Sequence, residues 1–274
     1  MPVNFSVNTN VGAMIALQNL NSSNKMLDKT QLNVTTGLKV NGPKDDPSTF
    51  AIAQNMRGDV GGMQAVRTAL ADGESTVAVA VNGGKQIADL LIEMKAKVVQ
   101  ANQAGLDSAS RTALQNDFDN LRNQIITIVA TAQFNGKSLI QASSPTLSVL
   151  STVQGSTIAI SAQSLDPTSL GINATDLTSS ANAATALQAI NTAIQLSSDK
   201  LAALGSAAKR IELQSEFTIK LIDILKEGIG NLVDADLAEE SAKLQALQIK
   251  QQLGVQALGI ANQRPQQLLQ LFQQ

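Results

Sequence analysis

The sequence predicts a mainly α fold: a long antiparallel helical bundle of coiled-coil type, with paired N- and C-terminal helices and a small β-containing insertion. Three observations predict it. Apolar residues recur in strict 3-4 alternation through most of the 274 residues, the period of helices that face one another along their length. Both ends are helix-patterned yet nearly free of charge: residues 1–24 hold no Asp, Glu, Lys or Arg, and residues 251–274 hold only Arg264. One central stretch, 141–186, loses the period and becomes rich in Ser and Thr.

In the first helix, 1–34, Ala13, Leu20, Leu27 and Val34 fall seven apart and mark a seam, with Leu17 beside it. A joint at 35–46 follows. Its Asn41-Gly42-Pro43-Lys44-Asp45-Asp46 run supplies turn residues and an Asp N-cap, with Pro47 placed for the first helical position. From Met63 the seam runs through Val66, Leu70, Gly73, Val77, Ala80, Gly84, Ile87, Leu91, Met94, Val98 and Ala101, a rod of roughly 57 Å at helical rise. Glycine on that seam suggests close approach of a neighbouring backbone.

A break near Gly105, with Asp107 or Ser110 as cap, leads into an antiparallel helix carrying Leu114, Phe118, Leu121, Ile125, Ile128 and Ala132. Asn135-Gly136 is a hairpin-turn dipeptide. Within 141–186, Thr157-Ile158-Ala159-Ile160 beside Gly155 looks like a modest strand, so this stretch is expected to be an exposed insertion. A last long seam runs from Leu187 and Ile190 to Ile229 and Leu232, with Ser197, Ser215 and Thr218 among its positions. Regions 47–140 and 187–230 thus form the bundle. Gly228 and Gly230 are expected to interrupt it before a second joint at 231–236. The final helix, 237–274, carries two stripes: Leu237, Leu244, Leu247 and Leu258, then Ala246, Ile249, Leu253, Ala257 and Ile260.

A helix that is apolar on more than one side needs more than one neighbour. Pairing the terminal helices covers one side of each, and the remainder points to other copies of the chain. The candidate self-assembly residues are Val11, Leu17, Leu20, Leu27 and Val34 in the first helix. In the last they are Leu237, Leu244, Leu247, Ile249, Leu253, Leu258 and Ile260.

Composition removes most chemistry. The chain has no Cys and no His, hence no thiolate and neither the commonest general base nor the commonest transition-metal ligand. A net charge of −2 and the absence of Trp and Tyr give no reason to expect nucleic acid or an anionic membrane as partner. Asp45 with Asp46, Asp117 with Asp119, and Asp234 with Asp236 suit caps and solvated faces better than acid–base or metal pairs. No catalytic residue, cofactor or metal is expected. The amino terminus lacks a cleavable secretory pattern, and no apolar run is long enough to span a bilayer.

The motifs resemble those of bacterial flagellins, short alphaproteobacterial ones in particular. The amino-terminal likeness rests on Val7-Asn8-Thr9-Asn10, Ala16-Leu17-Gln18-Asn19-Leu20, Thr36-Gly37-Leu38-Lys39-Val40-Asn41, Lys44-Asp45-Asp46 and Phe134-Asn135-Gly136-Lys137-Ser138-Leu139. The carboxyl-terminal likeness rests on Asn231-Leu232-Val233-Asp234-Ala235-Asp236-Leu237-Ala238, Gln251-Gln252-Leu253-Gly254 and Ala261-Asn262-Gln263. The resemblance implies a non-enzymatic subunit that polymerises head-to-tail into the helical flagellar filament for swimming. Its terminal helices would line the inner tube. It also implies an extracellular destination reached without a cleaved signal, and an export chaperone, a filament cap and hook-associated proteins as partners. A hook–filament junction protein shares the terminal motifs and is the alternative. Flagellins seen by the animal innate-immune receptor carry Leu-Gln-Arg-x-Arg-x-Leu-Ala-Val-Gln. Here Glu93 reverses the first Arg and Lys95 replaces the second, which implies weakened recognition.

Overall fold

The computed structural model describes residues 9–271, with side chains as far as Gln263. Expectations for residues 1–8 and 272–274, and for the side chains of 264–271 including Arg264, lie outside the described residues. Five helices and one hairpin are present among those described: α1 (Val11–Thr36), α2 (Pro47–Ala101), α3 (Ser108–Thr131), β1 (Leu147–Leu150), β2 (Thr157–Ile160), α4 (Ser180–Val233) and α5 (Leu237–Leu271). The chain forms two compact units, Asp59–Ile224 and a second made of residues up to Gly58 together with those from Leu225. α2 and α4 contribute to both. The sequence had suggested divisions at 46/47 and 230/231. The compact units divide farther into the two long helices because Phe50, Ala53, Ile229, Leu232 and Val233 form a small core with Leu38 and Val40.

In the unit 59–224 the α2 seam is buried from Val66 to Ala101. It packs in one core with Leu114, Phe118, Ile125 and Val129 of α3 and Ala183, Ile190, Ala193, Leu204 and Ile211 of α4. Asp107 caps α3 by accepting from Ser110 N–H at 3.1 Å. The buried Arg111 guanidinium donates to the Ala101 and Gln103 carbonyls, closing the C-terminus of α2. α4 begins at Ser180, ahead of Leu187, because the small residues Ala183 and Ala186 already lie in the core and Ser179 caps from Asn182 N–H.

Three expectations need correction. The segment 141–186 is not an exposed appendage. β1 and β2 pair antiparallel, Leu147 opposite Ile160 and Leu150 opposite Thr157. Leu147, Val149, Ile160, Leu165, Leu170, Ile172 and Leu177 join the core of the helices. The segment is rich in Ser and Thr, but these apolar side chains are buried, and burying each is worth roughly 1.5–3 kcal/mol. Gly73 and Gly84 of α2 make room for this packing. A Cβ at Gly73 would sit 2.6 Å from Val149 Cγ2, and one at Gly84 would sit 2.7 Å from Leu201 Cδ2 and 3.1 Å from Leu165 Cδ1. What approaches them is side chain, not the backbone the seam suggested.

Nor do Gly228 and Gly230 break α4, which continues to Val233. Each glycine costs only about 1 kcal/mol in a helix, and the flanking Ile229, Leu232 and Val233 are anchored in the small core.

Candidate assembly interface

The terminal helices are positioned by their joints. Asn10 accepts from Ala13 N–H to start α1. Gly37, at φ 72°, ends it in the left-handed conformation with its N–H on the Asn33 carbonyl. Leu38 then pairs with Asp234 in an isolated bridge. Lys39 N–H donates to Val233 O and Ala235 N–H to Gly37 O, both at 2.8 Å. The two joints therefore lie side by side. Asp236 starts α5 by accepting from the N–H groups of Ala238 and Glu239, and Glu239 and Glu240 occupy the first turn, where acid is favoured.

From there α1 and α5 run antiparallel. Asn10 Nδ2 donates to Ala261 O at 2.8 Å, Leu20 packs on Gly254, and Gln251 Nε2 donates to Asn24 Oδ1 at 3.0 Å. The covered side of α1 is Ala13, Ala16, Leu20, Ser23, Leu27, Thr30 and Val34, flanked by Asn24 and the buried Asn33. That of α5 is Glu240, Leu244, Leu247, Gln251, Gly254, Leu258 and Ala261. Both hold the 3-4 spacing of a coiled-coil seam. Apolar spacing alone missed the polar members. Ser23, Thr30, Glu240 and Gln251 become visible only when the heptad is extended through them regardless of residue type.

The candidate residues divide. Leu20, Leu27, Val34, Leu244, Leu247 and Leu258 are partly buried in the intrachain seam. Val11, Leu17, Leu237, Ile249, Leu253 and Ile260 are open, from 47% exposure at Leu17 to 63% at Ile260. Leu237 keeps the heptad position of Leu244 and Leu258 but is the first residue of α5 and remains 51% exposed. Ala246, Ile249, Leu253, Ala257 and Ile260 line one uninterrupted exposed strip of α5. On α1, Met14, Ile15, Met26 and Leu32 add to the open apolar surface, and a depression of about 850 Å³ runs over Val11, Met14, Ile15 and Leu17.

The carboxylates are engaged locally. Asp45 lies 3.2 Å from Lys29 Nζ and accepts from Asn41 N–H; the lysine foremost, then the amide, hold it below the usual carboxylate range. Asp46 caps α2 and is lowered by the Thr49 hydroxyl and amide. Asp117 pairs with Lys97 and Asp119 with Arg122. No cluster of acidic side chains among the described residues could hold a metal ion, and no helix among them is long and apolar enough to cross a membrane. In the stretch 91–100, Leu91, Met94 and Val98 are core, whereas Glu93 is exposed and Lys95 half-buried.

Comparison with known proteins decides the family. Residues 7–144 match the bacterial flagellin N-terminal helical region and residues 187–272 the bacterial flagellin C-terminal helical region. The chain belongs to the bacterial flagellin family. It is 46% identical to flagellin FljM of Caulobacter vibrioides over 97% of this chain and 98% of that one. It is 32% identical to a flagellin of Brucella melitensis over 97% and 99%. A structure described as a flagellar hook-associated protein of Vibrio parahaemolyticus superposes with TM-score 0.58 at 13% identity, covering 69% of this chain and 100% of that one, a likeness of fold alone. The flagellin is accordingly a structural, non-enzymatic subunit of the extracellular flagellar filament, and the junction-protein alternative is not favoured.

Proposed function

We propose that this flagellin polymerises through the outward flanks of its paired terminal helices. The observation that carries the reading is the strip Ile249, Leu253 and Ile260, each more than half exposed although α5 is already paired on its opposite side. Covering such side chains returns about 1 kcal/mol or more each. Summed over α1 and α5, that offsets the ordering cost of two arms with too few neighbours in the monomer. Successive subunits present different surfaces to one another, the open geometry that extends a filament instead of closing a ring.

By the same resemblance the subunit reaches the filament without a cleaved signal, accompanied by an export chaperone and received by cap and hook-associated proteins. Glu93 in place of Arg weakens recognition by the animal innate-immune receptor. The test of polymerisation is Leu253→Glu with Ile260→Glu, scored by elongation from seeds under the electron microscope. The variant is expected to keep the helical content of the monomer and to fail to elongate. Elongation at the unmodified rate would refute the reading.

A further inference from the structure

The chain contains three Asn-Gly dipeptides, at 41–42, 82–83 and 135–136. Asn-Gly is the pair in which a main-chain nitrogen can most easily reach the preceding carboxamide, because glycine has no side chain to obstruct it. The structure treats the three very differently. The Asn41 side chain is held: its Nδ2 donates to Thr36 Oγ1 at 2.8 Å and to Leu38 O at 3.2 Å. Asn82-Gly83 lies inside α2, where the Gly83 N–H is committed to the helix ladder and Gly83 itself is buried against Ile140 and Ala132.

Asn135-Gly136 has none of this protection. Both residues are exposed, with φ 48° and 72°. Among the described residues neither the Asn135 side chain nor the Gly136 N–H has a hydrogen-bond partner. The turn is closed only by the reciprocal pair between Phe134 and Lys137, 2.9 Å in each direction. An exposed two-residue turn held by one such pair opens locally at far lower cost than the middle of a long helix.

We propose that Asn135 is a site of spontaneous deamidation in the folded flagellin. The Gly136 main-chain nitrogen, losing its proton to hydroxide, attacks Cγ of Asn135. The new C–N bond closes a five-membered succinimide and the side-chain nitrogen leaves as ammonia. Water then opens the ring at either carbonyl, giving aspartate or isoaspartate. The net change is one water consumed and one ammonia released, with no oxidant or reductant. The product places a negative charge beside Lys137. The isoaspartate form adds a methylene to the main chain, which the Phe134–Lys137 pairing cannot accommodate, next to the fully buried Leu139 and Ile140.

Trypsin separates the three dipeptides into peptides 40–44, 68–85 and 123–137, so each reports on itself. The folded flagellin is incubated at mildly alkaline pH, and the same chain in denaturant serves as control. Mass spectrometry of the peptides is expected to show Asn135 converting at least about tenfold faster than Asn41 and Asn82 in the folded protein, each 1.4 kcal/mol of extra opening cost being a factor of ten. That gap should collapse in denaturant. Asn41 or Asn82 converting as fast as Asn135 in the folded chain would overturn the proposal. So would an Asn135 that persists when folded while the denatured chain converts.

Discussion

At the residue scale, polar side chains decide how the terminal helices meet. Asn24 and Gln251 bond to each other across the α1–α5 seam. Such a pair costs stability and fixes register, since any slip would leave both amides without partners. Replacing both by Leu is expected to raise the melting temperature of the monomer while permitting more than one α1–α5 register. Cross-links engineered between the helices would then form at several spacings instead of one. The joint has its own residue-scale control. Because the Asp45 and Asp46 carboxylates are lowered by their partners, their contribution is present above the unfolded value of 3.8 and is lost as pH falls through the lowered folded values. Amide shifts of Asn41, Ser48 and Thr49 should therefore move together on acidification below about pH 4 and stay constant near neutrality. Titration of these amides near neutral pH would show that other groups hold the joint.

At the element scale the glycines separate into two kinds that composition cannot distinguish. Gly73 faces Val149, whose short branched side chain has little room to turn aside, whereas Gly61 and Gly205 face open space. Gly61→Ala and Gly205→Ala are expected to raise stability by about 0.5–1 kcal/mol from helix propensity. Gly73→Ala should lower it by about 1–2 kcal/mol, because overpacking outweighs the same gain. Chemical denaturation of the three monomers compares them directly. Ser197 offers a parallel test. Its hydroxyl is fully buried without a protein partner, so Ser197→Ala is expected to stabilise by about 1 kcal/mol.

Helical elements were largely legible in the sequence because burial on a long helix repeats. The α2 seam needs no more than a ruler, and Asp107, Asp46 and Asn135-Gly136 mark ends and turns by local chemistry. What was not legible depended on distant partners. Val149 and Leu165 look like stray apolar residues in a Ser/Thr tract until Gly73 and Gly84 leave space for them. Gly228 and Gly230 look like a break until the small core around Val40 and Ala53 holds the helix through them. Arg111 gives no signal in the sequence, because its partners are carbonyls at the end of another helix. In the candidate interface, spacing found the covered leucines. Leu237 shares their heptad position yet stays exposed as the first residue of α5.

For the whole molecule, the proposed assembly rests on a difference between its two units. The unit 59–224 has a continuous apolar core and is satisfied within one chain. The unit holding α1 and α5 has a small core and long helices covered on one side only. Free subunits should therefore be stable in the first and labile at the ends of the second, with limited proteolysis trimming both termini before any site inside 59–224 is cut. The measurement that bears most directly on this account is amide hydrogen exchange of the same flagellin as free monomer and as filament. Residues 11–36 and 237–271 are expected to exchange quickly in the monomer and slowly in the filament, with little change in the core of 59–224. Terminal helices as protected in a dilute monomer as in the filament would contradict it.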